Sequence, residues 1–328
     1  MLWYIIGKKQ GQLGRVGIKF MKNMAGIPGY SFIKMRLITK GLSGDKKFYL
    51  ETEDGQRFLA RISEGLEYER KKTEYELLMK VSKIGIPAPT PVGFGYCEDK
   101  SKIYTLLSWV DGEDAQKVLP GFSQEKQYRL GIEAGRILRK LHDNSLMECN
   151  EDWQSRYFSV IEPRLEAYQK EGIPFEGNGQ IMDYLETNKH LLANRPQTLH
   201  HGDFHLGNMV IDKNARLSVI DWDTADFENI GDPWYEFNRI GVENPAFATG
   251  QIDGYFENDI PDMFWRLLAF YLAGSAVTSI VWAKYFAPEC MEEIMKLNTD
   301  IVRWYDGMKN TIPAWYIKSL WHGTQEQE

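Results

Sequence analysis

The sequence predicts an α+β protein in two parts, a small antiparallel sheet followed by a larger, mainly helical region, and three observations carry that prediction. Between residues 31 and 62 apolar positions fall in short runs, SFIKMRLIT, FYL and RFLARI, and Asp54-Gly55, a pair that closes tight hairpins, sits between the last two. From Glu67 to Lys83 and from Ser123 to His142 the apolar residues recur at helical spacing instead. The chain has 328 residues, 43% of them hydrophobic, enough for two compact cores.

Residues 1–28 come first, with Gly7, Gly11, Gly14 and Gly17 among basic residues. GQLGRVG resembles a phosphate loop in composition, yet no strand precedes it and no apolar helix pattern follows. A loosely ordered extension is expected there, and Met21 and Met24 offer alternative starts of translation. Strands are expected at Ser31–Thr39, Phe48–Leu50 and Arg57–Ile62. The helix from Glu67 to Lys83 sets Leu77, Leu78 and Val81 on one face, and the prolines from Pro87 to Pro91 end it, because proline lacks an N–H and restricts its predecessor. Val92–Tyr96 and Ile103–Val110 read as the last two strands of the sheet, and Asp111-Gly112-Glu113-Asp114 follows them. Ser123 then caps a long helix with Glu125 in its first turn and Leu130, Ile137, Leu138 and Leu141 on one face. His142 reads as a helix-end residue. Further helices are expected at Arg156–Gln169 and Gln180–Leu192, separated by Gly172-Ile173-Pro174 and Gly177-Asn178-Gly179. Met263–Ala287 is apolar for so long that a membrane span must be weighed. Arg266 and Lys284 leave 17 residues between them, at the lower edge of what crosses ~30 Å of hydrocarbon, and Ser275, Thr278 and Ser279 dilute the run. A helix buried inside the larger part accounts for it better. Asn298–Asp306 and Trp315–Trp321 are expected to close the fold with aromatic packing.

A formal net charge of -7 and a pI near 5.6, with no block of Lys and Arg, exclude a general nucleic-acid binder, whose affinity needs clustered cations on a phosphate backbone. Cys97, Cys149 and Cys290 lie far apart in no metal-ligand spacing and read as free thiols of a reducing, cytoplasmic compartment. The N-terminal MLWYIIGKKQGQ has its lysines after a short apolar run, so it is expected to be neither a signal peptide nor a membrane anchor.

The chemistry concentrates between Leu199 and Asp223, LHHGDFHLGNMVIDKNARLSVIDWD. Met209-Val210-Ile211 and Leu217-Ser218-Val219-Ile220 read as two strands joined by a turn at Asp212-Lys213-Asn214-Ala215, so the hairpin brings Asn208 and Asp221 together at its open end. An amide and a carboxylate oxygen side by side suit a hard cation such as magnesium. Asp203 precedes Asn208 in the spacing D-x-x-x-x-N. Phosphoryl transfer needs this set: metal ligands to hold a cation on the phosphate oxygens and a separate carboxylate to take the proton of the attacking hydroxyl. Asp203 is the candidate base, and Asn208 and Asp221 are the candidate metal ligands. As a lone match the spacing carries little, since Asp and Asn are common turn formers. His201-Gly202 before it, His205 and Gly207 inside it, and the apolar strand into Asp221 give it weight.

HGDFHLGN, then VIDWD, then GDPWYEF, resembles the aminoglycoside phosphotransferase and choline kinase family, small-molecule kinases with the protein-kinase fold, over about residues 33 to 316. The resemblance implies a two-lobed fold with a nucleotide cleft, a linker that sets the boundary near residue 111 and gives parts 29–110 and 111–328, and ATP with Mg²⁺ as cofactors, GTP being an alternative nucleotide. It places the turn holding Ser43 and Gly44 over the nucleotide phosphates, where small residues let backbone N–H groups approach oxygens. It places Arg61 where the family commonly has Lys, a departure that exchanges a compact charge for a planar fork. Glu74 or Glu76 would pair with Arg61, and Glu74 fits better by its distance from Ile86-Pro87-Ala88-Pro89. The backbone from Leu107 through Trp109 to Val110 would read the adenine edge, and Asp232 and Glu236 would steady the catalytic loop from beneath. The acceptor implied is a small molecule bearing a hydroxyl and an amine, an aminoglycoside-type antibiotic first, choline, ethanolamine or a sugar as alternatives, bound between residues 145 and 285. The contrasting expectation is a catalytically inactive binding module, motivated by Arg61. Neither nucleic acid, membrane nor an obligate protein partner is expected.

Overall fold

The computed structural model describes residues 26–39, 44–97, 100–222, 229–240, 244–257 and 259–318. The expected N-terminal extension, apart from its last three residues, and Ser43 lie outside them. By its internal contacts the chain divides into two compact units. One runs to Asp114 and takes in the hairpin that begins at Asn208; the other begins at Ala115, runs to Gly207, and resumes after the hairpin.

The first unit is built on a five-stranded antiparallel sheet: β1 (Phe32–Ile38), β2 (Lys46–Thr52), β3 (Arg57–Glu64), β4 (Pro91–Tyr96) and β5 (Lys102–Ser108), in the order β1-β2-β3-β5-β4. The apolar runs foreseen in the sequence bury Leu50, Phe58, Ala60 and Leu106 with Ile27, and Tyr30, Phe32, Met35, Phe48 and Tyr104 pack against them. Between β3 and β4 comes helix α1 (Tyr68–Ile84), which stops at Gly85, where φ is 76° and the chain turns into the left-handed region open to glycine. Leu77, Leu78 and Val81 are buried along α1 as the pattern required, and so are two charged residues, Lys71 and Glu74. The remaining strands of this unit are β6 (Glu113–Asp114), β9 (Met209–Ile211) and β10 (Leu217–Val219), in the order β10-β9-β6.

The second unit is helical. Helix α2 (Gln124–Asp143) starts where expected, with the Ser123 side chain accepting the Lys126 N–H. Helix α3 (Trp153–Glu171) is longer than the sequence suggested: Asp152 caps it by accepting the Ser155 N–H, and it continues through Pro163. After α4 (Asn178–Asn188) come α5 (Pro245–Phe256), α6 (Asp262–Phe286) and α7 (Met291–Trp304). Helix α6 is the one described helix long and apolar enough to cross a membrane by length and composition, and 78% of its apolar window is buried. Helices α2 and α5 meet backbone to backbone: a Cβ built at Gly135 would fall under 3.0 Å from the Gln251 carbonyl and the Tyr255 nitrogen, and one at Gly254 would strike Ile132. Three short strands, β7 (Leu146–Met147), β8 (Gln197–Leu199) and β11 (Ile230–Gly231), form a small sheet in the order β11-β8-β7, and the candidate catalytic loop leaves from the end of β8.

Candidate active site

In the helical unit, the loop after Leu199 carries Asp203 without regular secondary structure until the 3-10 turn Leu206–Asn208, so side chains must satisfy its backbone. Glu236 does so with both oxygens: the His201 N–H donates to Oε2 at 3.0 Å and the Gly202 N–H to Oε1 at 2.7 Å. The Asn229 amide donates to the carbonyls of His200 and His201 at 3.3 and 3.4 Å, and the His200 N–H donates back to the Asn229 carbonyl at 2.7 Å. Below lies Asp232, fully buried. Its carboxylate takes Arg195 through Nε and Nη2 at 2.7 and 3.0 Å, the Tyr271 hydroxyl at 2.7 Å and the Trp234 N–H at 2.9 Å, while Trp153 Nε1 donates to Tyr271 at 2.8 Å. A buried carboxylate is tolerable only with this degree of pairing. The His200 ring donates from Nε2 to the Asp232 carbonyl at 2.9 Å, and burial drives its pKa down to about 4 despite that bond. Beside it is His142, at the end of α2, whose Nδ1 lies 2.9 Å from the Tyr255 hydroxyl and which burial also holds well below the ordinary range.

The loop's own side chains orient Asp203. Its N–H donates to His201 Nδ1 at 3.2 Å. His205 Nδ1 accepts the Gly207 N–H at 3.0 Å, so the neutral ring carries its proton on Nε2, which lies 3.1 Å from Asp203 Oδ2 and donates to it. A ring fixed at one nitrogen by backbone thus fixes the plane of the carboxylate at the other.

In the sheet unit, the hairpin closes as read from the sequence. Ile211, Val210 and Met209 face Leu217, Ser218 and Val219, and the Ile220 N–H donates to the Asn208 carbonyl at 2.9 Å, setting Asn208 and Asp221 at the open end. The Val219 N–H donates to the Pro87 carbonyl at 2.8 Å, which ties the hairpin to the segment after α1. Asp221 has φ 67°, a left-handed conformation uncommon for a residue with a side chain and frequent where function fixes the backbone. Its Oδ1 lies 3.3 Å from Lys47 Nζ and 3.8 Å from the Arg61 guanidinium. Asn208 and Asp221 are hard oxygen donors of the class that magnesium takes while keeping water and phosphate oxygens in its shell. Among the described residues no three His, Cys, Asp or Glu side chains are grouped as a metal cage.

Arg61 stands on β3 with its Nε and Nη2 on Asp45 Oδ2 at 2.9 and 2.6 Å, and Ser63 donates to Asp45 Oδ1 at 2.6 Å. Lys71, buried on α1, bridges Asp45 Oδ2 at 2.7 Å and Glu74 Oε2 at 2.9 Å. Burial pushes the Asp45 carboxyl up, but the Arg61 charge and the bonds from Lys71 and Ser63 outweigh it and bring its pKa to about 2. Arg61 and Glu74 are thus linked through two residues that sequence reasoning missed, Asp45 and Lys71, where a direct pairing of the two was expected. Lys71 stands three residues before Glu74, a spacing that aligns side chains on one helix face but is shared by solvent-exposed pairs such as Glu67 and Arg70. Gly44 precedes Asp45 and is exposed, and a Cβ there would meet no described atom within 4 Å. Leu107 is buried in the ladder between β3 and β4, and the Trp109 N–H donates to the Arg57 carbonyl at 2.9 Å, so that N–H is already engaged. Asp203 stands in the helical unit with Asp232 and Glu236, and the other candidate residues that are described stand with the sheet.

A model of the phosphotransferase enzyme family matches residues 34–265. A probable aminoglycoside 3'-phosphotransferase of Lactococcus lactis is 28% identical over 190 residues, which are 54% of this chain and 65% of that protein. Acyl-CoA dehydrogenase family member 10 of Mus musculus is 23% identical over 232 residues, 66% of this chain and 21% of that protein. The chain thus spans about a fifth of the mouse protein and just under two thirds of the bacterial one. Among solved structures, a thermostable mutant of aminoglycoside phosphotransferase APH(4)-Ia has a TM-score of 0.60 at 16% identity, over 83% of this chain and 95% of that one. A choline/ethanolamine kinase family protein from Mesorhizobium loti has a TM-score of 0.56 at 14% identity, over 86% and 92%. These likenesses show the α+β fold.

Proposed function

Since the chain belongs to the phosphotransferase enzyme family, we propose that it moves the γ-phosphoryl group of ATP to a hydroxyl of a small, amine-bearing molecule in the cytoplasm, an aminoglycoside-type antibiotic being the first candidate. The observation that carries the reading is the held carboxylate of Asp203. A binding module has no use for a carboxylate whose plane is set by His205 and whose loop is clamped by Glu236.

In this reading the acceptor hydroxyl gives its proton to Asp203 as its oxygen attacks the γ-phosphorus, the bond from that phosphorus to the β,γ-bridging oxygen breaks, and ADP leaves. Asn208 and Asp221 would hold magnesium, which when bound supplies charge neutralisation on the phosphate oxygens. Gly44 would approach the phosphates through its backbone, Arg61, held by Asp45 with Lys71 and Glu74 alongside, would contribute charge from behind, and GTP is the alternative nucleotide. The strand end at Leu107 and Trp109 would read the base edge, through the Trp109 carbonyl and neighbouring groups, since the Trp109 N–H is taken by Arg57. An acidic carboxylate in front of the acceptor also draws an ammonium, which favours amine-bearing molecules.

The test is ATP consumption by the purified chain against a panel of aminoglycosides, choline, ethanolamine and simple sugars. Stimulation by one class identifies the acceptor. Nucleotide binding without acceptor-stimulated turnover across the whole panel would replace this reading with the inactive binding module.

A further inference from the structure

Lys47 was not among the residues singled out in the sequence, and its place in the sheet gives it a task. Strands β2 and β3 pair with Lys47 opposite Arg61, so the two cations share one face of the sheet, and both approach Asp221 Oδ1. Their situations differ. Arg61 and Lys71 lie with Asp45 and Glu74 in a buried set of two positive and two negative groups, with side-chain exposures of 7%, 2%, 1% and 6%. Turning Arg61 outward would strip Asp45 of its guanidinium in a buried site, a strongly unfavourable change. Lys47 is 12% exposed and bonds Asp221, which at 36% is the open member of the group. Its flexible four-carbon stem can swing the ammonium to another anion without breaking the buried set.

We infer that Lys47 is a phosphate-binding residue for the nucleotide, taking the mobile point-charge role that Arg61, locked on Asp45, does not fill. The assignment rests on the phosphotransferase reading and adds a residue to it. It also accounts for how the chain accommodates Arg at the β3 position: the guanidinium organises Asp45 and α1, and the compact ammonium reaches the ligand from the neighbouring strand.

Calorimetric titration of the full chain with ADP and, separately, with adenosine tests this. ADP carries the phosphates and adenosine does not, so the difference between their affinities isolates the phosphate contacts. Lys47→Ala is expected to weaken ADP binding by about 10- to 100-fold, the loss of one hydrogen bond to a charged group, and to leave adenosine within about twofold. Lys47→Arg should restore most of the ADP affinity. If the parent binds ADP and Lys47→Ala keeps the full difference between ADP and adenosine, or loses both ligands alike, the assignment is overturned while the phosphotransferase reading stands. If the parent binds neither ligand, that reading itself falls and takes Lys47 with it.

Discussion

Glu236 is the residue on which the geometry of the Asp203 loop depends, and its replacement has a calculable consequence. It is 2% exposed and accepts two backbone N–H groups, at 3.0 and 2.7 Å. A hydrogen bond to a charged group is worth ~1.5–3 kcal/mol, and a buried donor left without a partner costs ~1–3 kcal/mol. Glu236→Gln keeps the volume, but its one amide oxygen can serve one N–H while its NH₂ is turned against the other. The expected loss is about 2–4 kcal/mol, and Glu236→Ala, which removes both acceptors and leaves a void, should lose about 3–6 kcal/mol. Urea unfolding followed by tryptophan fluorescence and far-UV circular dichroism reads this as a lower midpoint. The Gln variant should also lose kcat, because the loop that aims Asp203 is no longer held, while ADP affinity stays near that of the parent. A Gln variant within about 0.5 kcal/mol of the parent, the range of ordinary surface changes, would show that the clamp does not anchor the loop.

Two further consequences can be measured on the same unit. His200 stays neutral in the folded chain down to about pH 4, whereas in the unfolded chain it takes up a proton below about 6.5, so its contribution to stability is complete above 6.5 and is lost as pH falls through 4. That difference amounts to about 3 kcal/mol, and His142 acts in the same direction; urea midpoints that do not fall between pH 7 and pH 4 would contradict it. Gly135→Ala puts a methyl group against the Gln251 carbonyl where α2 and α5 touch, and since backbone on both sides must give way it should destabilise by ~1–3 kcal/mol; an unchanged thermal midpoint would mean the helices can separate freely.

The parts legible in the sequence were those whose signal is local. Short apolar runs gave the five strands of the sheet, Ser123 gave the start of α2, and the two runs flanking Asp212–Ala215 gave a hairpin that does place Asn208 beside Ile220. Helix α5 was not foreseen. It is buried all round and contains Gly250 and Gly254, so it shows no one-sided stripe and carries residues that usually mark turns. The short strands β7, β8 and β11 were missed too, because two or three residues cannot display a period. At the site, Asp232 and Glu236 could be placed by resemblance to known sequences, but Asp45, Lys47 and Lys71 could not. Each looks like an ordinary solvated charge along the chain, and only the pairing of β2 with β3 and the packing of α1 bring them to Arg61.

The central claim is that Asp203 takes a proton from an acceptor hydroxyl as the phosphoryl group moves. The most direct measurement is the mass of an acceptor incubated with ATP, magnesium and either the parent or Asp203→Asn. The change swaps a carboxylate for an amide of nearly equal size, separating lost proton acceptance from lost packing. With the parent the acceptor should gain one phosphoryl group, and with the Asn variant the rate should fall by ~10²–10⁴-fold while ADP binds as before. A variant that phosphorylates the acceptor at the parent's rate would contradict the claim.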